Sequence, residues 1–405
     1  MKTRSNSLTF LAILLISNLI GCDQTQQTEQ KTKTWYKGNL HTHSYWSDGD
    51  EFPEMIMDWY KTKGYDFTVL SDHNRLAEGD YWIEIRKGEI YQKAFQKYLA
   101  KYDSNWVKYK IDSGNINVKL KTFEEYKPLF EEPGKFLIIQ SEEITDRFEN
   151  KHVHMNATNI QKLIKPQGGS SIVEVMQNNI DAVKKQRDET GVPMIIHLNH
   201  PNFHYSVTLE DMIQIKGERF FEVFNGHPGV HNFGDSVHIG TEEMWDLINI
   251  AYSKDKKPLL YGLGTDDSHH YHNIGSKWSN AGRGWIMVQA DTLSPESLIG
   301  AMENGQFYAS SGVTLSDVTL DDNMLNIEVQ AEQGIEYEIS VIGCNVGDEE
   351  TQVLETIKGS SAKFTLSEKT NFVRMKVIST KLHPNPIEHA IYEMAWTQPV
   401  VYSEN

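Results

Sequence analysis

The 405-residue sequence is poor in cysteine: it has two, Cys22 and Cys344. That excludes a disulfide framework or a zinc ribbon, which need more thiols. Basic charge is also scarce, with 39 Lys and Arg against 56 Asp and Glu and a formal net charge of −17. Such a balance argues against binding a polyanion over a broad face, and no basic stripe with interleaved aromatics points to nucleic acid. A local basic pocket for one phosphate is still compatible with it. The longest apolar run, Leu8 to Ile20, is broken by Thr9, Ser17 and Asn18 and is too short for a comfortable membrane span. Neither a G-x-S-x-G elbow nor a Cys–His arrangement is present, so no activated serine or cysteine nucleophile is expected. Apolar and aromatic residues are plentiful, at 39% and 11%. The chain can therefore bury a large core, as one barrel-sized domain plus a smaller one or as two ordinary domains.

The short apolar run has the format of an export signal: Lys2 and Arg4 precede it, and Leu19-Ile20-Gly21-Cys22 closes it. That ending resembles a bacterial lipobox, which implies a signal peptide over 1–21, lipidation of Cys22 and a lipid-anchored place in the cell envelope. Residues 22–34 are rich in Gln and Thr and suit a flexible tether. Cys344 is then left without a partner and reads as a small buried hydrophobe.

Histidine is the enriched residue. Fourteen of the sixteen lie between His41 and His272. Many of them stand with Asp and Glu at the ends of seven short apolar runs: Trp35–His41, Asp66–Ser71, Lys135–Gln140, His152–Ala157, Val192–His197, Arg219–Phe224 and Pro258–Leu263. His227, His231, His238, His270 and His272 read mostly as solvated loop residues near the rim, one of which could contact substrate. Helical spacing fills several gaps, over Phe52–Lys63, Ser171–Thr190, Thr241–Lys254 and Ser294–Asn304. Strand–helix alternation predicts an α/β fold with a parallel sheet, closed as a barrel or left open. In such folds the functional groups gather at the carboxyl ends of the strands.

The polar endings are His41-Thr42-His43 with Ser47-Asp48-Gly49, Ser71-Asp72-His73-Asn74, and Ser141-Glu142-Glu143-Ile144-Thr145. They continue with His152-Val153-His154-Met155-Asn156, His197-Leu198-Asn199-His200-Pro201, Glu222-Val223-Phe224-Asn225 and Gly264-Thr265-Asp266-Asp267-Ser268-His269-His270. Six or more histidines on one rim call for a divalent metal cluster. Imidazole and carboxylate donors without nearby thiolate suit Mn, Fe or Zn.

In order and number these motifs are similar to those of the polymerase-and-histidinol-phosphatase (PHP) superfamily of metal-dependent phosphoesterases. The resemblance runs from Trp35 to Gly312 and includes Gln306-Phe307-Tyr308-Ala309-Ser310-Ser311-Gly312. It implies a distorted seven-stranded (β/α) barrel over 35–312 and two or three metals. His41, His43, Glu143 and Asp267 would hold the first; Glu143 would bridge to a second with His154 and His200. Asp48, His73 and His269 would hold the third. Glu142 competes with Glu143, His152 with His154, His197 with His200, and Asp266 with Asp267.

The implied activity is hydrolysis of a small phosphate monoester or diester by a metal-bridging hydroxide, with Glu143, Asp267 and Asp72 as catalytic candidates. Arg75, Arg147 and Arg283 are candidate grips for the free phosphate oxygens. Asp72 and Glu222 to Asn225 are also candidates to orient imidazoles. Two alternatives stay open. One is amide, carbamate or carboxylic ester hydrolysis at the same metals; the other is a non-catalytic lipoprotein that binds metal or glycans.

Residues 76–134 form an insertion, with Phe95, Tyr98, Leu99, Tyr102 and Trp106 on one helical face. Trp82 to Pro128 carries ten basic and six acidic residues, so it is locally positive in an acidic chain. Packing of that face onto the barrel is the plain expectation; a lid that sets substrate choice and leaves metal content unaffected is the functional one. Beyond Gly312, short alternating runs separated by turns predict a small antiparallel β-sandwich over 313–405 that packs on as an accessory domain.

Overall fold

A computed structural model describes Met1 and residues 33–404. The expected signal peptide, the lipidated Cys22 and nearly all of the tether lie outside the described residues. The rest, from Lys33 on, is one compact unit.

The first part of the chain contributes β1 (Thr34–Asn39), α1 (Pro53–Thr62) and β2 (Phe67–Leu70). The insertion follows with β3 (Trp82–Glu84), α2 (Glu89–Trp106), β4 (Tyr109–Asp112), β5 (Asn115–Lys119) and α3 (Phe123–Phe130). Then come β6 (Leu137–Phe148), β7 (Lys151–Thr158), α4 (Ile172–Thr190), β8 (Ile195–Leu198) and the single turn α5 (Leu209–Met212). After these are β9 (Phe220–Asn225), α6 (Thr241–Lys254), β10 (Tyr261–Thr265), β11 (Trp285–Ala290), α7 (Pro295–Glu303) and β12 (Phe307–Ser310). The C-terminal strands are β13 (Leu315–Asp321), β14 (Met324–Val329), β15 (Tyr337–Asn345), β16 (Gln352–Lys358), β17 (Ser361–Thr365), β18 (Thr370–Ile387) and β19 (Ala390–Thr397).

All seven anticipated strands form, and α4 is bounded by its capping residues. Ser171 accepts from the Glu174 amide at the start of α4, and Gly191 takes the left-handed conformation at its end. The topology differs from an all-parallel expectation at β11, antiparallel to β1 and β12, and, among the seven anticipated strands, at β7. β1–β2–β6 and β8–β9–β10 are parallel neighbours, but β7 runs antiparallel to both β6 and β8. Only Glu149 and Asn150 separate β6 from β7, and a parallel crossover needs a dozen or more residues. Reversal puts the start of β7, rather than its end, on the rim where its neighbours finish.

Thirteen strands share one sheet, in the order β10-β9-β8-β7-β6-β2-β1-β11-β12-β19-β18-β15-β16. The sheet curls: Phe220 and Leu263 of β9 and β10 share a core with Ile286 and Val288 of β11. Its hydrogen-bonded order nevertheless stays open at β10, where the rim is joined to the segment after β1 by one isolated bridge, Thr42 to Ser268. Beyond β12 the main sheet continues without a break, because β19 pairs with it. A separate three-stranded sheet, β13-β14-β17, packs on that continuation through Leu325, Ile327 and Val329 against Ile339, Val341 and Val377. Cys344 is buried and is the one free cysteine among the described residues. No helix among the described residues is long and apolar enough to cross a membrane.

Candidate metal centre

Period-two alternation decides which of each neighbouring pair enters the site. Glu143 on β6 is fully buried and faces the histidines, with carboxylate oxygens 2.7 Å from His73 Nδ1, 3.1 Å from His154 Nδ1, 3.4 Å from His43 Nε2 and 3.5 Å from His41 Nε2 and His200 Nε2. Its neighbour Glu142 points the other way and accepts from the Ile164 amide. Burial pushes the Glu142 carboxyl up to about 8. Burial also opposes ionisation of Glu143, but His73, His154 and His41 hold it well below the usual carboxylate range.

The same sorting applies at the other pairs. Asp267 lies 3.2 Å from His41 Nε2 and 3.4 Å from His43 Nε2. Asp266 turns away and accepts from Tyr60 Oη and the amides of Arg283 and Gly284. His154 is buried in the cluster while His152 stays exposed on the rim. His200, in a left-handed backbone (φ 21°), reaches Glu143 and Asp267, whereas His197 faces Glu222 at 3.4 Å. Asp48 completes the set, 3.4 Å from His269 Nε2, 3.6 Å from His73 Nε2 and 3.7 Å from His43 Nδ1. The loop that carries it passes so close to His43 that a Cβ on Gly49 would lie 2.6 Å from that residue's backbone. All nine anticipated ligands are thus within one cluster. His43, Asp48, His73 and His269 form one grouping, His41, His43 and Asp267 another; His41, Glu143 and His200, and His73, Glu143 and His154, complete it.

The donor chemistry of this cluster fits divalent metals. His41 Nε2 and His43 Nε2 face each other at 3.1 Å, an arrangement of two imidazole nitrogens that a shared cation relieves. Both ring nitrogens of His154 and Glu143 Oε2 are buried without a hydrogen-bond partner. Burial and the neighbouring His269 and His73 push His43 down to about 3, whereas against burial the surrounding carboxylates raise His41, His73 and His269 above the ordinary imidazole range.

Around the cluster, Glu222 Oε1 lies 2.7 Å from His41 Nδ1 and also accepts from Thr265 Oγ1, fixing the imidazole with Nε2 toward the site. The Glu222 Oε2 atom accepts from the His200 amide and the Asn225 carboxamide, and that carboxamide also donates to Asp267. Asn199 donates to Glu143 Oε1 at 2.7 Å. This role was not visible in sequence, although Asn199 stands inside the His197–Pro201 motif.

Two candidates are corrected. Asp72 contributes no oxygen to the cluster: its carboxylate accepts from the Ser44 amide and from the Ser44 and Ser47 hydroxyls. It secures the loop that presents Asp48 and stands outside the histidine cluster. Arg283 is fully buried, and its five donors are occupied by Gly226, Gly275, Trp278 and Asn385, so none remains for a phosphate. It staples the loops behind the site. Arg75 stacks on Tyr81 at 4.0 Å, and exposed Arg147 shares the Glu143 face of β6 opposite His152. Neither guanidinium has a carboxylate partner among the described residues.

No family model and no curated protein matches the chain. Among solved structures, it is similar to a two-domain protein from Bacteroides vulgatus ATCC 8482 containing a predicted PHP-like metal-dependent phosphoesterase. The identity is 14% over 91% of this chain and 96% of that one, at a TM-score of 0.39. A proposed metal-dependent phosphoesterase from Bifidobacterium adolescentis ATCC 15703 is 11% identical over 60% of this chain and 92% of its own, at 0.27. An amidohydrolase from Chromobacterium violaceum, with bound sulfate and no metal, is 11% identical over 57% and 87%, at 0.25.

Proposed function

We propose that this chain is a metal-dependent hydrolase of PHP type that cleaves small phosphate esters. The observation that carries the reading is Glu143: one buried carboxylate faces five imidazoles whose nitrogens lie 2.7–3.5 Å away. His41, His43, Glu143 and Asp267 would hold one metal, His154 and His200 a second with Glu143 bridging, and Asp48, His73 and His269 a third. Mn, Fe or Zn bound there would acidify water and neutralise charge on a phosphoryl oxygen. The chain's own contribution is positional. Glu222 and Asn199 fix His41 and Glu143, Asn225 fixes Asp267, and Asp72 fixes the Asp48 loop. Arg75 and Arg147 stand as the cationic contacts for substrate. On the sequence of residues 1–34, we further assign the protein to the cell envelope, anchored through Cys22.

Hydrolysis of p-nitrophenyl phosphate and bis-p-nitrophenyl phosphate by the Mn-loaded full chain tests this, with Glu143→Gln beside it. Turnover of either ester that falls by at least about 10³-fold in the variant supports the reading, and the preferred ester separates monoesterase from diesterase. Silence on both with metal bound contradicts it and favours an amide or carbamate substrate.

A further inference from the structure

Apart from the nine ligands, one histidine near the cluster is held too specifically to be a solvated loop residue. His227 follows β9 and is half-buried; its ring lies edge-on to His269, with centroids 5.5 Å apart, and to Phe203 at 5.9 Å. The loop that holds it is anchored to the site. The Asn225 carboxamide that donates to Asp267 Oδ2 at 3.1 Å accepts, through Oδ1, the His227 amide at 2.7 Å.

The ring itself is fixed by Gly229, whose amide donates to His227 Nδ1 at 2.9 Å. The approach is close: a Cβ at 229 would stand 3.0 Å from Cε1 and 3.1 Å from Nδ1 of the ring and would press on it. An imidazole nitrogen that accepts a hydrogen bond carries no proton, so in neutral His227 the proton is on Nε2. His227 also lies outside the distance-defined ligand groupings. No protein group among the described residues accepts the Nε2 hydrogen, and Nε2 is not sealed off from solvent.

We propose that His227 is a substrate-contacting residue whose Nε2–H donates a hydrogen bond to an anionic oxygen of the substrate bound at the metal cluster. This rests on the phosphoester reading and assigns His227 the work that fully occupied Arg283 cannot do. A donor of fixed tautomer needs no reorganisation as charge builds on the substrate, which is where preorganised donors are most effective.

Inorganic phosphate is the probe, titrated calorimetrically into the Zn-loaded full chain as wild type, His227→Ala and His227→Gln, with bound metal counted in each. The proposal predicts equal metal content, phosphate affinity weakened about tenfold in His227→Ala, and most of it restored by glutamine, which keeps a neutral N–H donor. With p-nitrophenyl phosphate, kcat should fall roughly 10²-fold in the alanine variant. Unchanged phosphate affinity in His227→Ala overturns the role, as does a lost metal equivalent, which would make His227 a ligand. Metal-loaded wild type that fails to bind phosphate overturns the phosphoester reading and this role with it; equal binding by all three proteins overturns the role alone.

Discussion

Glu222 shows how a single side chain can organise the imidazoles of a candidate metal centre. Its carboxylate accepts from or faces His41, His197, Thr265, the His200 amide and Asn225, so it sets the direction of two ligand-bearing segments at once. Burial works against its ionisation, but His41 and His197 hold the carboxyl well below its ordinary range. Glu222→Gln replaces an anionic acceptor by a neutral one and should weaken metal binding by about 10–100-fold with little change in fold. Competition with a chromogenic chelator would measure this, and an unchanged affinity would contradict the role. Much of the residue level was legible in sequence, because chemistry that needs imidazole and carboxylate leaves them at strand ends. The choice within each pair was not: Glu142 and Glu143 differ only in which side of β6 they face. Glu222 was among the orienting candidates, but Asn199 acts through a contact across the fold that spacing does not show, and Arg283 resembles a phosphate grip until its carbonyl partners are seen.

Among the elements, the insertion is the one whose role changes most on folding. Its helix α2 lays Phe95 and Tyr98 into a core with Tyr45, Trp46 and Phe52, and Tyr98 stacks on Phe52 with centroids 3.9 Å apart. The aromatic spacing of α2 made this packing readable. What spacing could not show is Arg86, whose guanidinium donates to the carbonyls of Asp48 and Gly49 at 2.7 and 3.0 Å. The insertion therefore supports the very loop that carries Asp48, the carboxylate proposed for a third metal. Arg86→Ala should lower occupancy at the Asp48, His73 and His269 position by about 10-fold or more at limiting metal, leaving the remaining ions in place. Elemental analysis after dialysis reads this directly; full occupancy in the variant would return the insertion to a purely substrate-facing role, as a lid. β7 carries a related lesson. Its polar residues were placed on the correct rim for an incomplete reason, since they begin an antiparallel strand where a parallel one was expected to end.

Over the whole molecule, the C-terminal strands are bound to the region that holds the histidine cluster by more than the β12–β19 ladder. Arg374 on β18 is buried and paired with Asp246 on α6, with Nε to Oδ1 at 2.7 Å and Nη2 to Oδ2 at 2.9 Å, and Lys376 pairs with Glu242 beside it. Removing one partner of such a pair leaves a buried charge uncompensated. Arg374→Met should therefore cost about 3–5 kcal/mol. The variant and wild type should each unfold from 33 onward in one transition; calorimetry showing two would mean that the tail folds independently. The sequence change near Gly312 could not reveal that the same sheet continues across it. The account as a whole depends on one carboxylate organising the metals, and one preparation can test that. Metal equivalents per chain and the rate of phosphate ester hydrolysis should be measured together on wild type and Glu143→Gln. The account predicts two or three equivalents in wild type, at least one lost in the variant, and hydrolysis lost with it. Hydrolysis that survives in Glu143→Gln, or a wild-type chain that binds no divalent metal, would contradict it.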